Sequence, residues 1–203
     1  GDEIESGVLI YEGEEESFFL TMVEPPARVE RDRIVPREYI FILDVSGSMS
    51  GFPLETTKDL MDELLGSLRP SDHFNILTFA GSSGLLAEES MPATRANINT
   101  ALKSIQQLRG GGGTELLPAL ERALALPHTE GTSRVVVVAT DGYVSVEKEA
   151  FHVISQRLGE ANMFPFGIGS SVNRPLIEGM AHAGLGEPFV VLDGGGAEAK
   201  AER

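Results

Sequence analysis

Tyr39-Ile40-Phe41-Ile42-Leu43-Asp44-Val45-Ser46-Gly47-Ser48 is the stretch on which the fold turns. It opens with an unbroken apolar and aromatic run, which suits a strand covered on both faces of a sheet. The run ends at a carboxylate, and two hydroxyls follow at alternate positions. Gly47 lets the chain bend tightly there, so several oxygens can converge on one point. Converging hard oxygens that carry little charge are what a hexacoordinate divalent cation needs. The stretch therefore reads as half of a metal site at the end of a buried parallel strand.

Working outward, apolar strands alternate with amphipathic helices from residue 39 onward, the pattern of an α/β fold with a mainly parallel sheet. Strands are expected at 39–45, 74–79, 135–140, 163–168 and 189–192, and helices at 54–68, 94–108, 115–126, 146–158 and 174–183. In the first helix Leu54, Leu60, Met61, Leu64, Leu65 and Leu68 keep the spacing of a buried face, opposite Glu55, Lys58, Asp59 and Asp62. Leu85-Leu86-Ala87 follows the second strand after a turn too short to hold a crossover helix, so it is expected to form a short antiparallel edge strand closed by Pro92. Thr94 is placed to cap the next helix. The expected fold is a Rossmann-like, doubly wound sheet with helices on both faces.

Residues 1–33 break this pattern. Residues 7–11 and 18–23 read as two strands joined across Glu12-Gly13-Glu14, an extra N-terminal β-hairpin, and Pro25-Pro26 with the charged stretch 28–33 reads as a linker. The α/β domain is then expected over 34–193 and a flexible tail over 194–203.

Two further places offer oxygen ligands. Thr114 ends Gly110-Gly111-Gly112-Gly113-Thr114 just before a helix, and Asp141 follows the valine-rich strand and precedes Gly142. In open α/β sheets, ligands gather at the carboxyl ends of strands where the strand order reverses. If the strands ending at Asp44 and Asp141 are neighbours across that reversal, both carboxylates face one crevice, and the glycine-rich loop can bring Thr114 over it.

Asp44-x-Ser46-x-Ser48, with Thr114 and Asp141 in this order, resembles the von Willebrand factor A domain and matches its metal-ion-dependent adhesion site one for one. The resemblance covers most of residues 34–193. Phe18-Phe19-Leu20 before Pro25-Pro26, Ile34-Val35-Pro36-Arg37, Phe74-Asn75-Ile76 and Gly112-Gly113-Thr114-Glu115 are similar to inter-alpha-trypsin inhibitor heavy chain proteins and their bacterial relatives. In those proteins a β-rich VIT domain precedes the A domain, so residues 1–33 are expected to be its last strands. The resemblance implies a bacterial member of that group in an extracellular or cell-envelope setting.

It also implies a mechanism. Ser46 and Ser48 would ligate Mg²⁺ or Mn²⁺ through their hydroxyls, with Asp44, Thr114 and Asp141 bound directly or through water. Two of the five ligands are charged, so the site barely neutralises the ion. A coordination position is left for a carboxylate from a protein partner. The expected function is a cation-dependent adhesion module without enzymatic activity. The alternatives are a scaffold domain whose metal only stabilises its loops, and a Mg²⁺-dependent hydrolase with Glu115 as base.

Other chemistries find little support. A helix cap explains one of Asp44 and Ser46, not three oxygen-rich loops at strand ends. The glycine run lacks the lysine of a phosphate loop and follows a helix rather than a strand. His73, His128, His152 and His182 are scattered without metal-ligand spacing, and Gly-x-Ser-x-Gly is absent. The chain has no cysteine, hence no disulfide framework and no thiol nucleophile. Net charge is −15, from 16 basic and 31 acidic residues, which disfavours nucleic acid and anionic membranes as partners. No apolar run reaches the roughly 18–20 residues that span a bilayer.

Overall fold

A computed structural model describes residues 5–24, 34–142, 144 and 146–192. The linker expected within 25–33 and the tail at 194–203 lie outside the described residues. The chain divides into two compact units, one before Pro36 and one from Pro36 onward.

In the first unit, β1 (Glu5–Glu12) and β2 (Ser17–Glu24) pair antiparallel along their whole length, from Glu5 opposite Glu24 to Glu12 opposite Ser17. The turn is closed by the Gly13 N–H donating to the Glu16 carbonyl at 3.1 Å. Val8, Ile10, Phe18 and Phe19 are all exposed within this unit.

The second unit is built on a seven-stranded sheet. Its core strands are β3 (Arg37–Asp44), β4 (His73–Phe79), β7 (Ser133–Thr140), β8 (Asn162–Ile168) and β9 (Phe189–Val191), with antiparallel edge pieces β5 (Ser83–Leu85) and β6 (Met91–Pro92). The order is β5-β4-β3-β7-β8-β9, with β6 also on β4, and the five core strands run parallel. Successive side chains of a strand point to opposite faces, and β3 feeds two cores accordingly. Ile40 and Ile42 pack with α3 (Leu116–Leu124), α4 (Glu147–Arg157) and α5 (Arg174–Ala183), while Phe41 and Leu43 pack with α1 (Phe52–Gly66) and α2 (Arg95–Gln106). Helices thus cover both faces of a mainly parallel sheet, as its sequence pattern requires.

The antiparallel edge differs in detail from the expected strand at 85–87. It lies at 83–85 and resumes at Met91–Pro92. Leu86 N–H still donates to the Ile76 carbonyl at 2.8 Å, but Ala87 bonds to a side chain instead of a strand. The buried Asn75 amide donates to the Ala87 carbonyl at 2.9 Å and accepts from Ala87 N–H at 3.3 Å, which interrupts the ladder. Pro92 fits the second piece because an edge strand can spare an N–H.

Helix starts follow local chemistry. Gly51 adopts φ 81°, a left-handed turn suited to glycine, and Pro53 in the first turn lets α1 begin at Phe52. Thr94 caps α2 through its side chain, accepting from Asn97 N–H at 3.2 Å. Below the sheet, buried Glu38 accepts from Arg134 Nε at 2.8 Å and from Thr129 Oγ1 at 2.9 Å. Burial alone would push the Glu38 carboxyl up, but these bonds outweigh it and hold the group below its ordinary value.

Candidate metal centre

From β3 the chain passes to β4 on one side, and β7 later pairs with β3 on the other. The strand order therefore reverses between β3 and β7, which are in direct register with Leu43 opposite Ala139. Asp44 ends β3 and Asp141 follows β7, so both carboxylates leave adjacent strands at the carboxyl edge, where such sheets open a crevice.

The Asp44 loop is tightly organised. Asp44 is fully buried, and its Oδ1 accepts from Ser46 N–H at 2.8 Å. Its Oδ2 accepts from Thr140 Oγ1 at 2.6 Å, and that hydroxyl accepts in turn from Gly142 N–H at 2.9 Å. The Ser46 and Ser48 hydroxyls stand 3.2 Å apart, Ser46 buried and Ser48 exposed on a single 3-10 turn over Gly47–Met49. Burial pushes the Asp44 carboxyl above its ordinary value, and the nearby negative charge of Asp141 adds to the rise against the bonds from Ser46 and Thr140. Asp141 is also largely buried. Two acids brought together out of water are a costly arrangement unless a positive charge joins them.

The glycine-rich loop is stitched to this turn by backbone bonds. Gly111 N–H donates to the Val45 carbonyl at 2.9 Å, and Gly47 N–H donates to the Gly112 carbonyl at 3.1 Å. Glu115 N–H donates to the Ala80 carbonyl at 2.8 Å, so the half-buried Thr114 is carried on a loop fixed at both ends. Gly110 must be small here, since a Cβ would lie 2.4 Å from Ser50 Oγ and 2.9 Å from its Cα. Asp44, Ser46, Ser48 and Asp141 are thus drawn to one place, with the loop bearing Thr114 laced against them. Among the described residues no group of three or more His, Cys, Asp or Glu is placed to hold a metal. A site here rests on a mixed set of hydroxyls and carboxylates.

Residues 37–187 match the family model of the von Willebrand factor type A domain. The chain belongs to this family. It is 32% identical over 164 residues to a von Willebrand factor A domain-containing protein of Dictyostelium discoideum, covering 80% of this chain and 18% of that protein. It is 29% identical over 161 residues to inter-alpha-trypsin inhibitor heavy chain H3 of Bos taurus, covering 73% of this chain and 18% of the relative. The chain therefore spans about a fifth of these relatives. Among solved structures it resembles a von Willebrand factor type A protein from Catenulispora acidiphila, with a TM-score of 0.75 and 16% identity over 99% of this chain and 45% of that one. Von Willebrand A domains are generally protein-interaction modules, and these relatives carry no enzyme names.

Two residues of this A domain have positions that the motif alone does not disclose. Thr140 bridges the two carboxylate loops from the end of β7. The only hint was a hydroxyl closing a run of valine and alanine. Asn173 donates its N–H to the Asp141 carbonyl at 3.1 Å and caps α5 by accepting from Leu176 N–H at 3.2 Å. Its amide also donates to Glu147 Oε1 at 3.0 Å. A helix is expected over 174–183, but the reach of the preceding Asn173 to Asp141 depends on tertiary folding. Met49 is buried beneath the loop and Phe52 is 40% exposed beside it, so only the phenylalanine can meet a ligand. Glu115 is exposed at the start of α3 and makes no side-chain cap.

Proposed function

We propose that this domain is a divalent-cation-dependent protein-binding module that captures a carboxylate of its partner at the crevice between β3 and β7. The observation that carries the reading is the Asp44 loop, where a buried acid, a pair of hydroxyls 3.2 Å apart and a second acid from the next strand meet at the topological switch point. The donor set is all oxygen, which suits Mg²⁺ or Mn²⁺. Ser46 and Ser48 are the direct ligands in this reading, and Asp44, Thr114 and Asp141 complete the set directly or through water. A bound cation supplies the positive charge that two buried acids need. It still has a coordination position that a partner's acidic side chain can take.

Family membership supports an interaction role without enzymatic chemistry, and Glu115, the candidate base, is exposed at the start of α3. In this reading the full-length protein works in the extracellular space or cell envelope, a setting suggested by the chain's likeness to an inter-alpha-trypsin inhibitor heavy chain. Among the described residues no helix is long and apolar enough to cross a membrane. The open coordination position is tested by water-proton relaxation with bound Mn²⁺. Acetate should lower the relaxation enhancement of the wild type by displacing metal-bound water. An enhancement indifferent to acetate would favour a closed site and a scaffold role.

A further inference from the structure

A polar groove of about 530 Å³ opens where the metal loop ends, between α1 and the segment that follows α2. Ser50 and Gly110, whose backbones touch, form its end beside the metal loop. Lys58 and Glu55 line the α1 side, and Gln107 and Arg109 the other. The Lys58 ammonium, buried against the helix, donates to Glu55 Oε1 at 2.9 Å, so that carboxylate is already answered. Arg109 is exposed and has no ion-pair partner among the described residues. Two cations against one carboxylate is the reverse of the chain's balance of 16 basic to 31 acidic residues. A local excess of positive charge on an acidic protein selects an acidic ligand.

We propose that this groove is a second docking point for the partner, in which Arg109, backed by Lys58 and the Gln107 amide, binds a further acidic side chain near the one held by the cation. The proposal rests on the metal-dependent reading above and narrows its partner to a segment carrying two carboxylates. Arg109 can meet a carboxylate with two parallel N–H donors, a geometry a lone ammonium lacks.

The test is a titration of ¹⁵N-labelled protein in Mg²⁺, followed by NMR, with synthetic peptides bearing one glutamate or two glutamates separated by glycine spacers of increasing length. The expected result is that one spacer length binds about fivefold tighter than the single-glutamate peptide and also moves the Gln107, Arg109 and Gly110 amides. In Arg109→Glu that advantage should vanish. Equal affinity for all peptides in the wild type, or an advantage that survives Arg109→Glu, would overturn the second docking point while leaving the metal site standing. Binding that ignores removal of Mg²⁺ by chelator would instead overturn the metal reading, and the proposal with it.

Discussion

Thr140→Val removes one hydroxyl from the centre of the site and leaves the side-chain shape almost unchanged. That hydroxyl donates to Asp44 Oδ2 at 2.6 Å and accepts from Gly142 N–H at 2.9 Å, and both Thr140 and Asp44 are fully buried. A hydrogen bond to a charged buried group contributes about 1.5–3 kcal/mol, and an orphaned N–H adds about 1 kcal/mol, so the expected loss is about 2.5–4 kcal/mol. Thr140→Ser keeps the hydroxyl and loses one methyl, a loss of about 1 kcal/mol. Urea denaturation of the metal-free protein at neutral pH measures both. Mg²⁺ affinity should fall at least tenfold in the valine variant, because Asp44 loses the group that orients it, and should stay within about threefold in the serine variant. If valine costs no more than serine in either assay, Thr140 does not organise the carboxylates and the reasoning from buried hydrogen bonds fails here.

Three other outcomes are expected. Asp44→Asn should abolish the Mg²⁺-induced rise in melting temperature while changing the metal-free melting temperature little. The folded pKa of Asp44 lies above its unfolded 3.8, so at neutral pH the ionised acid opposes folding; a neutral amide removes that penalty but leaves one oxygen to accept the bonds from Ser46 N–H and Thr140 Oγ1. Glu38 and Asp72 behave oppositely. Burial raises each, but the bonds to them together outweigh it, led by Arg134 at Glu38 and by Arg69 at Asp72, so both folded pKa values are depressed. Their contribution is complete above the unfolded values of 4.5 and 3.8 and is lost as pH falls through the folded ones. Acid titration of the urea midpoint should show that decline, and Glu38→Gln should flatten it; an unchanged slope would contradict the assignment. Gly186→Ala should destabilise by about 1–3 kcal/mol, because its Cβ would come within 2.0 Å of the Met163 carbonyl oxygen, a backbone atom that cannot swing aside. A melting temperature equal to wild type would show that the β8–α5 junction yields easily.

Much of this was legible from local sequence. Continuous apolar runs and helical spacing identify the parallel strands and both helical layers, because each element's burial pattern is written in its own period. The turn at Asp44-Val45-Ser46 was legible for the same reason, since its hydrogen bonds span only two residues. What escaped depends on partners far along the chain. Asn75 interrupts the edge ladder by bonding twelve residues away, and Thr140 meets Asp44 across ninety-six. Asn173 caps α5 locally, but its bonds to Asp141 and Glu147 exist only once the fold brings those residues to it. Side chains that serve local capping and distant bridging look alike in sequence, and only the sheet order separates them.

The central claim is that Asp44, Ser46, Ser48, Thr114 and Asp141 hold one divalent cation. Calorimetric titration of Mg²⁺ and Mn²⁺ into the wild type and into Asp141→Ala tests it most directly. The expected result is one ion per wild-type chain and no heat of binding in the variant, with both proteins unfolding cooperatively. No binding by the wild type, or equal binding by the folded variant, would contradict the site.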